Sequence, residues 1–389
     1  MNKLLLPTPY GTRDILFPEA YNKRVIENTI ADIFTKWGYQ EVVTPTYEYM
    51  QTFELGSRNI DDKCIKFFNR ENKTLVLRQD MTTPIARLIA TGLYSAAQTH
   101  KLFYIANVFR HEQTQSGRQC EFYQAGVEYF GASTPLADAE VIALAIEAIR
   151  STGLTDFKIN LGHVDFINGI LSVLPAETRS LIQKLLSSKD VVGLKNLLDS
   201  LELSANIYDI LHNIFFFKGD ERMLTDLRSK IDNPLSLAAL ENLLAIYELL
   251  SAYDLQRYIV FDLALTRDMD YYSGMVFEGY TGELGYPICG GGRYDSLLSS
   301  YGLQCPATGF ALGIERLMLL LNKQGLLRKP AYRKALVVWG KEGLLRAIAR
   351  ATAMQLKGYI TTVADHEFST EELALAKADR NYDEVIMVQ

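Results

Sequence analysis

At 389 residues the chain is long enough for two or three domains, because one hydrophobic core rarely grows past about 250–300 residues. With 48% hydrophobic and 22% charged residues it has globular composition, which excludes a disordered chain, a collagen-like repeat and a coiled-coil rod. The 46 acidic and 40 basic residues leave a net charge of −6, the wrong balance for a protein held mainly by nucleic-acid phosphates. Cys64, Cys120, Cys289 and Cys305 form no CxxC pair, so neither a zinc site nor a disulfide framework is expected, and free thiols suit a reducing compartment. The first residues lack a leader-like pattern and no apolar run approaches about 18 residues. A cytoplasmic protein with no membrane span is therefore expected.

In chain order, a turn at Pro9–Asp14 precedes a helix from Pro18 to Trp37, with Val25, Ile26, Ile30, Ile33 and Phe34 on one stripe and Gly38 as its stop. Glu41–Pro45 has the β-branched composition of a strand, with Pro45 at its end or on an edge. Ile65–Phe68, Leu75–Leu77, Lys101–Phe109 and Cys120–Tyr129 read as further strands, interrupted by helices over Pro84–Leu93 and Leu136–Thr152. From Val164 to Tyr253 the alternation disappears and short helical periods are broken at Pro175, Gly193, Gly219 and Pro234, as in a helical insertion. Strands resume at Tyr258–Leu265, Met275–Tyr280 and Pro287–Cys289, followed by a helix over Gly309–Asn322. Strands and helices in separate runs predict an α+β fold with an antiparallel sheet and flanking helices. The expected domains are residues 1–325, a linker at 326–333, and a small α/β domain at 334–389 with the order strand, helix, strand, helix, strand.

On a strand over Cys120–Tyr129, Phe122, Gln124, Gly126 and Glu128 share a face, leaving Tyr123, Ala125 and Val127 to the core. A polar face on a central strand needs partners, since each buried unpaired polar group costs about 1–3 kcal/mol; the plainer alternative is a solvated sheet surface. Arg110 is suited to grip a carboxylate or phosphate in two parallel bonds, or else to form a surface ion pair. Arg267, Tyr271 and Tyr272 lie in a segment dense in polar and aromatic groups, able to line a small pocket or to form an ordinary hairpin. Gly290–Gly292 permits close backbone approach to a ligand, although a bare turn is the commoner use of such a run. Arg316 points either at the sheet or into solvent. His111 and His163 have no triad context and are assigned structural or surface roles. No phosphate loop, HExxH or dinucleotide fingerprint is present, so no metal and no cofactor are expected.

Together and in this order, these segments resemble histidyl-tRNA synthetase and its paralogues, the regulatory subunits of ATP phosphoribosyltransferase, from about Pro9 to Leu321. Pro45 resembles the motif 1 proline found at the dimer interface of class II aminoacyl-tRNA synthetases. Phe109–Glu112 with Gly117-Arg118 resembles motif 2, and Gly309–Arg316 resembles motif 3. Arg267–Tyr272 and Gly290–Asp295 resemble the two histidine-specific motifs. The implied fold is a class II synthetase-like antiparallel sheet with flanking helices, a helical insertion and a small C-terminal α/β remnant.

Between the two branches, Leu77–Arg87 resembles the regulatory subunits, with Asp80-Met81-Thr82 where synthetases usually carry Glu-Gly-Thr. Gln119 and Cys120 stand where synthetases usually carry Tyr and Arg, which removes a positive group from the region that handles ATP, and Tyr123 replaces a His. From Lys334 onward seven Lys/Arg face eight Asp/Glu, so no basic platform for tRNA is expected. The resemblance implies a non-catalytic regulatory subunit. Its partner would be a short-form ATP phosphoribosyltransferase catalytic subunit, which it would activate, mediating histidine feedback inhibition of the first step of histidine biosynthesis. It further implies L-histidine as effector and a homodimer core within a hetero-oligomer, a hetero-octamer in the family. The implied histidine-binding residues are Asp80, Thr82, Arg110, Gln124, Glu128, Arg267, Tyr271 and Tyr272. Asp80 and Glu128 would take the α-ammonium with help from Thr82 and Gln124, Arg110 and Arg267 would serve the carboxylate, and the tyrosines would flank the imidazole. Because Arg110, Arg267 and Arg316 are retained, an active or vestigial histidyl-tRNA synthetase stands as the alternative. A ligand-free dimeric scaffold is a third reading.

Overall fold

The computed structural model describes residues 6–56, 64–93, 98–111, 119–265, 271–328, 332–378 and 381–389. The chain divides into two units, Met1–Leu327 and Arg328–Gln389.

In the first unit, nine strands among the described residues form one sheet. Their spatial order is Gln40–Glu41, His100–Phe109, Glu121–Phe130, Ala307–Gly313, Cys289–Arg293, Met275–Tyr280, Lys158–His163, Ile259–Asp262 and Lys218–Gly219. Pairing is antiparallel from His100–Phe109 across to Lys158–His163, while Gln40–Glu41 and Ile259–Asp262 join their neighbours in parallel. Side chains alternate faces along each strand, and that alternation separates two cores. Phe103, Ala125, Val127, Phe310 and Leu312 belong to the larger one. There they meet Ile26, Ile30 and Phe34 of the helix Glu19–Lys36 and the helix Pro135–Ser151, whose Val141–Ile146 are all buried. On the opposite face Leu102, Tyr104 and Phe130 pack with Met81, Ile85, Tyr271 and Tyr294 under the short helix Thr82–Leu88. A small antiparallel sheet, ordered Tyr47–Tyr49, Thr74–Leu77, Lys66–Phe68, leads directly into that helix.

Several sequence expectations change. Gly309–Gly313 is not helical but ends the strand Ala307–Gly313, and the helix runs from Ile314 to Lys323. Gly290–Gly292 lies inside the strand Cys289–Arg293 rather than in a turn. The cause is crowding across the sheet: a Cβ at Gly291 would enter the Gly309 carbonyl, and one at Gly292 would lie 2.6 Å from the Met275 carbonyl. Lys158–His163 is an additional strand within the sheet, between Met275–Tyr280 and Ile259–Asp262, with Ile159 and Leu161 alternating as a strand requires. Of the expected Glu41–Pro45 strand only Glu41 falls in a strand, Gln40–Glu41, with the Val42 amide adding a bond to the Phe103 carbonyl at 2.9 Å, because the chain then leaves the large sheet and enters the small one at Tyr47. The 19-residue helix Pro234–Ala252 is long and apolar enough to cross a membrane by length and composition, where no such run was expected. Its face of Ala239, Leu240, Leu243, Ile246 and Leu250 is buried in the larger core, and Ser236 Oγ donates to the Phe166 carbonyl at 2.8 Å.

In the second unit Lys334–Trp339 is the middle strand of a parallel sheet, between Ile360–Val363 and Glu384–Val388. Ala335 and Val337 meet Ala347, Ala351 and Met354 of the helix Leu344–Gln355 on one face. Leu336 and Val338 face Leu373 and Ala376 of the helix Thr370–Ala378 on the other.

Candidate functional site

The strand Glu121–Phe130 supplies the floor of a cavity of about 1180 Å³. Glu128 opposes Gly309 in the neighbouring strand, where a Cβ would run into the Glu128 carboxyl and the Val127 carbonyl. Gly126 opposes Tyr104 on the other side, and a Cβ there would overlap the Tyr104 ring and hydroxyl. The two glycines thus keep space beside a buried acid and a buried phenol.

Glu128 is 1% exposed. One of its oxygens accepts from Thr82 Oγ1 at 2.7 Å and the other from the Tyr294 hydroxyl. Loss of solvent pushes its carboxyl up to about 8, against the two hydroxyl donors and with a further push from Asp80. Among the described residues no cationic side chain lies within ion-pair distance of it.

Asp80 precedes the helix Thr82–Leu88 and its Oδ1 accepts from the Thr83 amide at 2.8 Å, a cap that fixes the carboxyl at the helix start. Burial raises its pKa, while the Thr83 amide and Arg110 act in the other direction. Arg110 Nε donates to the Gln79 carbonyl at 2.9 Å, and its guanidinium lies 5.4 Å from the Phe122 ring centroid. Tyr271 and Tyr272 have ring centroids 5.0 Å apart, and Tyr271 lies 5.7 Å from Tyr294. Asp80, Thr82, Arg110, Gln124, Glu128, Tyr271 and Tyr272 all line this one cavity. Arg267 lies outside the described residues.

Tyr104 and Tyr294 were missed in the sequence. Both line the cavity and burial raises both hydroxyls far above their ordinary range. Tyr294 carried a signal, since it follows the glycine run that enters the sheet; Tyr104 carried none beyond the alternation of its strand. Arg293, the other conspicuous residue of that run, is turned away. It holds Asp138 in two bonds at 3.0 and 2.8 Å and Asp295 at 3.0 Å, joining the strand to the helix Pro135–Ser151. At the other end of the cavity Arg316 donates to the Pro287 carbonyl and lies 4.9 Å from the Tyr286 centroid, so it faces the site rather than solvent. Glu315 accepts the Tyr123 amide at 2.9 and 3.0 Å. His163 accepts the Asp165 amide at 3.2 Å at the start of a helix, and burial pulls it down to about 4, so it is a neutral cap; His111 is exposed. Among the described residues no group of three His, Cys, Asp or Glu is arranged to hold a metal.

Acid groups, a guanidinium and ring walls in one enclosure suit a small amphoteric molecule with an aromatic part. The sequence pattern that defines histidyl-tRNA synthetases matches residues 11–317. The ATP phosphoribosyltransferase regulatory subunit of Moorella thermoacetica is 40% identical over 380 residues, 97% of this chain and 96% of its own length. The chain belongs to the family of ATP phosphoribosyltransferase regulatory subunits. A crystal structure from Bacillus halodurans, described as an ATP phosphoribosyltransferase regulatory subunit/histidyl-tRNA synthetase, aligns with a TM-score of 0.88 at 34% identity over 99% of both chains. Histidyl-tRNA synthetase from Nostoc aligns with a TM-score of 0.80 at 19% identity over 97% of this chain and 90% of its own, which shows the shared fold. Regulatory subunits and synthetases thus have this sheet in common.

Proposed function

We propose that this regulatory subunit is non-catalytic, activates a short-form ATP phosphoribosyltransferase catalytic subunit, and carries histidine feedback to it through the cavity on Glu128. The catalytic partner joins ATP and phosphoribosyl pyrophosphate to give phosphoribosyl-ATP and pyrophosphate. The supporting observation is a fully buried carboxyl among tyrosine rings with, among the described residues, no cation beside it: a basic nitrogen entering the cavity supplies a counter-charge. We assign Asp80 and Gln124 to the α-ammonium of histidine and Arg110, with Arg267, to its carboxylate. Glu128 is reassigned from the ammonium to an imidazole nitrogen, because Tyr294 bonds it and Tyr104 and Tyr271 stand at the same end. Tyr271 and Tyr272 flank the ring. Thr82 acts by orienting Glu128.

Calorimetry tests the ligand. Glu128→Ala is expected to weaken histidine binding at least tenfold, about 1.4 kcal/mol; unchanged affinity removes Glu128 from the site. The assembly is tested by phosphoribosyl-ATP synthesis with and without this chain. A catalytic subunit equally active and equally histidine-sensitive alone defeats the regulatory reading. For tRNA the support is compositional: seven basic and eight acidic residues from Lys334 onward give no basic surface, and no tRNA binding is proposed.

One observation favours a second reading. The cavity extends beyond the histidine groups to Arg316 and Tyr286, more room than one amino acid fills. A vestigial synthetase activity predicts histidine-dependent exchange of pyrophosphate into ATP by the purified chain. Exchange above background supports it, and its absence leaves the regulatory reading alone.

A further inference from the structure

Arg78 is 5% exposed, and burial lowers its pKa from the usual arginine value against the opposing pull of the Glu48 charge, yet among the described residues no carboxylate lies within ion-pair distance of it. A buried cation without a directly bonded counter-charge is costly unless its donors are engaged. Here every acceptor is neutral. Nε donates to the Asn107 carbonyl at 2.8 Å and one terminal nitrogen to Asn107 Oδ1 at 3.0 Å. The other donates to the carbonyls of Thr44 at 2.9 Å and Pro45 at 3.3 Å.

These contacts join three segments. Asn107 belongs to the strand that runs into Arg110, and the Phe109 amide donates to the Arg78 carbonyl at 2.8 Å. Arg78 itself opens the turn to Asp80, whose neighbour Gln79 accepts from Arg110. Thr44 and Pro45 lie in the stretch Val43–Tyr49, in which Val43, Tyr47 and Tyr49 are 87%, 53% and 49% exposed while Thr44 and Glu48 are buried, and the Arg78 amide also donates to the Thr46 carbonyl at 3.0 Å. A parallel link follows one helix further: Arg87, at the end of the helix that starts at Thr82, donates to Glu48 at 3.0 and 2.8 Å.

We propose that Arg78 is a positioning residue through which occupancy of the cavity is felt at the exposed segment Val43–Tyr49. The proposal rests on the histidine reading above. A ligand held between Asp80 and Arg110 fixes the turn and the strand relative to each other, and the guanidinium bonded to that strand is held in turn. Its remaining two bonds then fix Thr44 and Pro45. The planar fork matters, because a lysine ammonium keeps the charge but cannot reach acceptors on both sides at once.

Hydrogen exchange read by mass spectrometry on the full chain, with and without saturating histidine, tests this. In the wild type, amides of residues 43–49 are expected to exchange at least threefold more slowly with histidine. In Arg78→Lys and in Asn107→Ala, histidine is expected to bind within about fivefold of wild type by calorimetry while that slowing disappears. Should Arg78→Lys fail to fold, Asn107→Ala decides, since it keeps the guanidinium and removes one acceptor. Binding heat in the wild type with no change at 43–49, or the same slowing in a folded variant, overturns the role of Arg78 and leaves the histidine site standing. No binding heat in the wild type overturns both.

Discussion

Glu128 makes the ligand-free protein sensitive to pH with a definite sign. Below its ordinary value of 4.5, folded and unfolded chains both carry the proton; between 4.5 and about 8 only the folded chain does. The contribution of this group to stability is therefore full at low pH and declines as pH rises through that window, by an amount on the order of 5 kcal/mol for a shift of this size. Glu128→Gln mimics the neutral acid, so its unfolding midpoint is expected to fall less than that of wild type between pH 5 and pH 8, and a parallel fall would dismiss the effect. His163 runs in the opposite direction. Its value is depressed from 6.5 to about 4, so its contribution is present above 6.5 and lost as pH falls toward 4. On the proposed reading an imidazole bound at Glu128 takes the carboxyl proton itself: at pH 7 the free ring is mostly neutral and Glu128 mostly protonated, so the ion pair forms with little net exchange of protons with the buffer. Calorimetry at pH 7 in buffers of different ionisation heat is expected to give nearly equal observed enthalpies for wild type, and a strong buffer dependence would dismiss the ion pair.

The strand Ala307–Gly313 shows what a local pattern conceals. Its Gly309, like Gly291 of the neighbouring strand Cys289–Arg293, is needed because of neighbours brought across the sheet from distant sequence: Gly309 lies against Glu128 and Gly291 against Phe310. A reading of spacing alone sees a turn or a helix start there, since the crowding exists only after pairing. Gly309→Ala is expected to lower stability by about 1–3 kcal/mol in urea unfolding, as overpacking does, and to weaken histidine binding; a neutral outcome would mean that Glu128 has room to move. By contrast, the face carrying Gln124 and Glu128 was legible from period two, and the helix Glu19–Lys36 from its apolar stripe. Lys158–His163 was legible too, from the alternation of the buried Ile159 and Leu161. The membrane-length helix escaped because its apolar positions are spaced by Ser, Asn and Glu, which a search for uninterrupted runs does not bridge.

For the molecule as a whole, the family was readable from the order of five short motifs, each weak alone. The cavity was not, since its volume depends on how two glycine-bearing strands and the turn at Asp80 meet. Among the described residues every cavity-lining side chain belongs to Met1–Leu327. A ligand that binds only the folded state stabilises it by about 2.7 kcal/mol at 100 times its Kd. A chain ending at Leu327 is therefore expected to keep the histidine-induced rise in Tm of the full chain, and loss of that rise would assign the second unit a share in the site.

The buried acid beneath the tyrosine rings, which among the described residues has hydroxyl partners and no cation, also has a practical side. On the proposed reading free imidazole, at the concentrations that release tagged proteins from nickel resin, would compete for that end of the cavity. Material eluted this way would arrive half-inhabited, so exhaustive dialysis, or a tag-free preparation, must precede any titration with the amino acid.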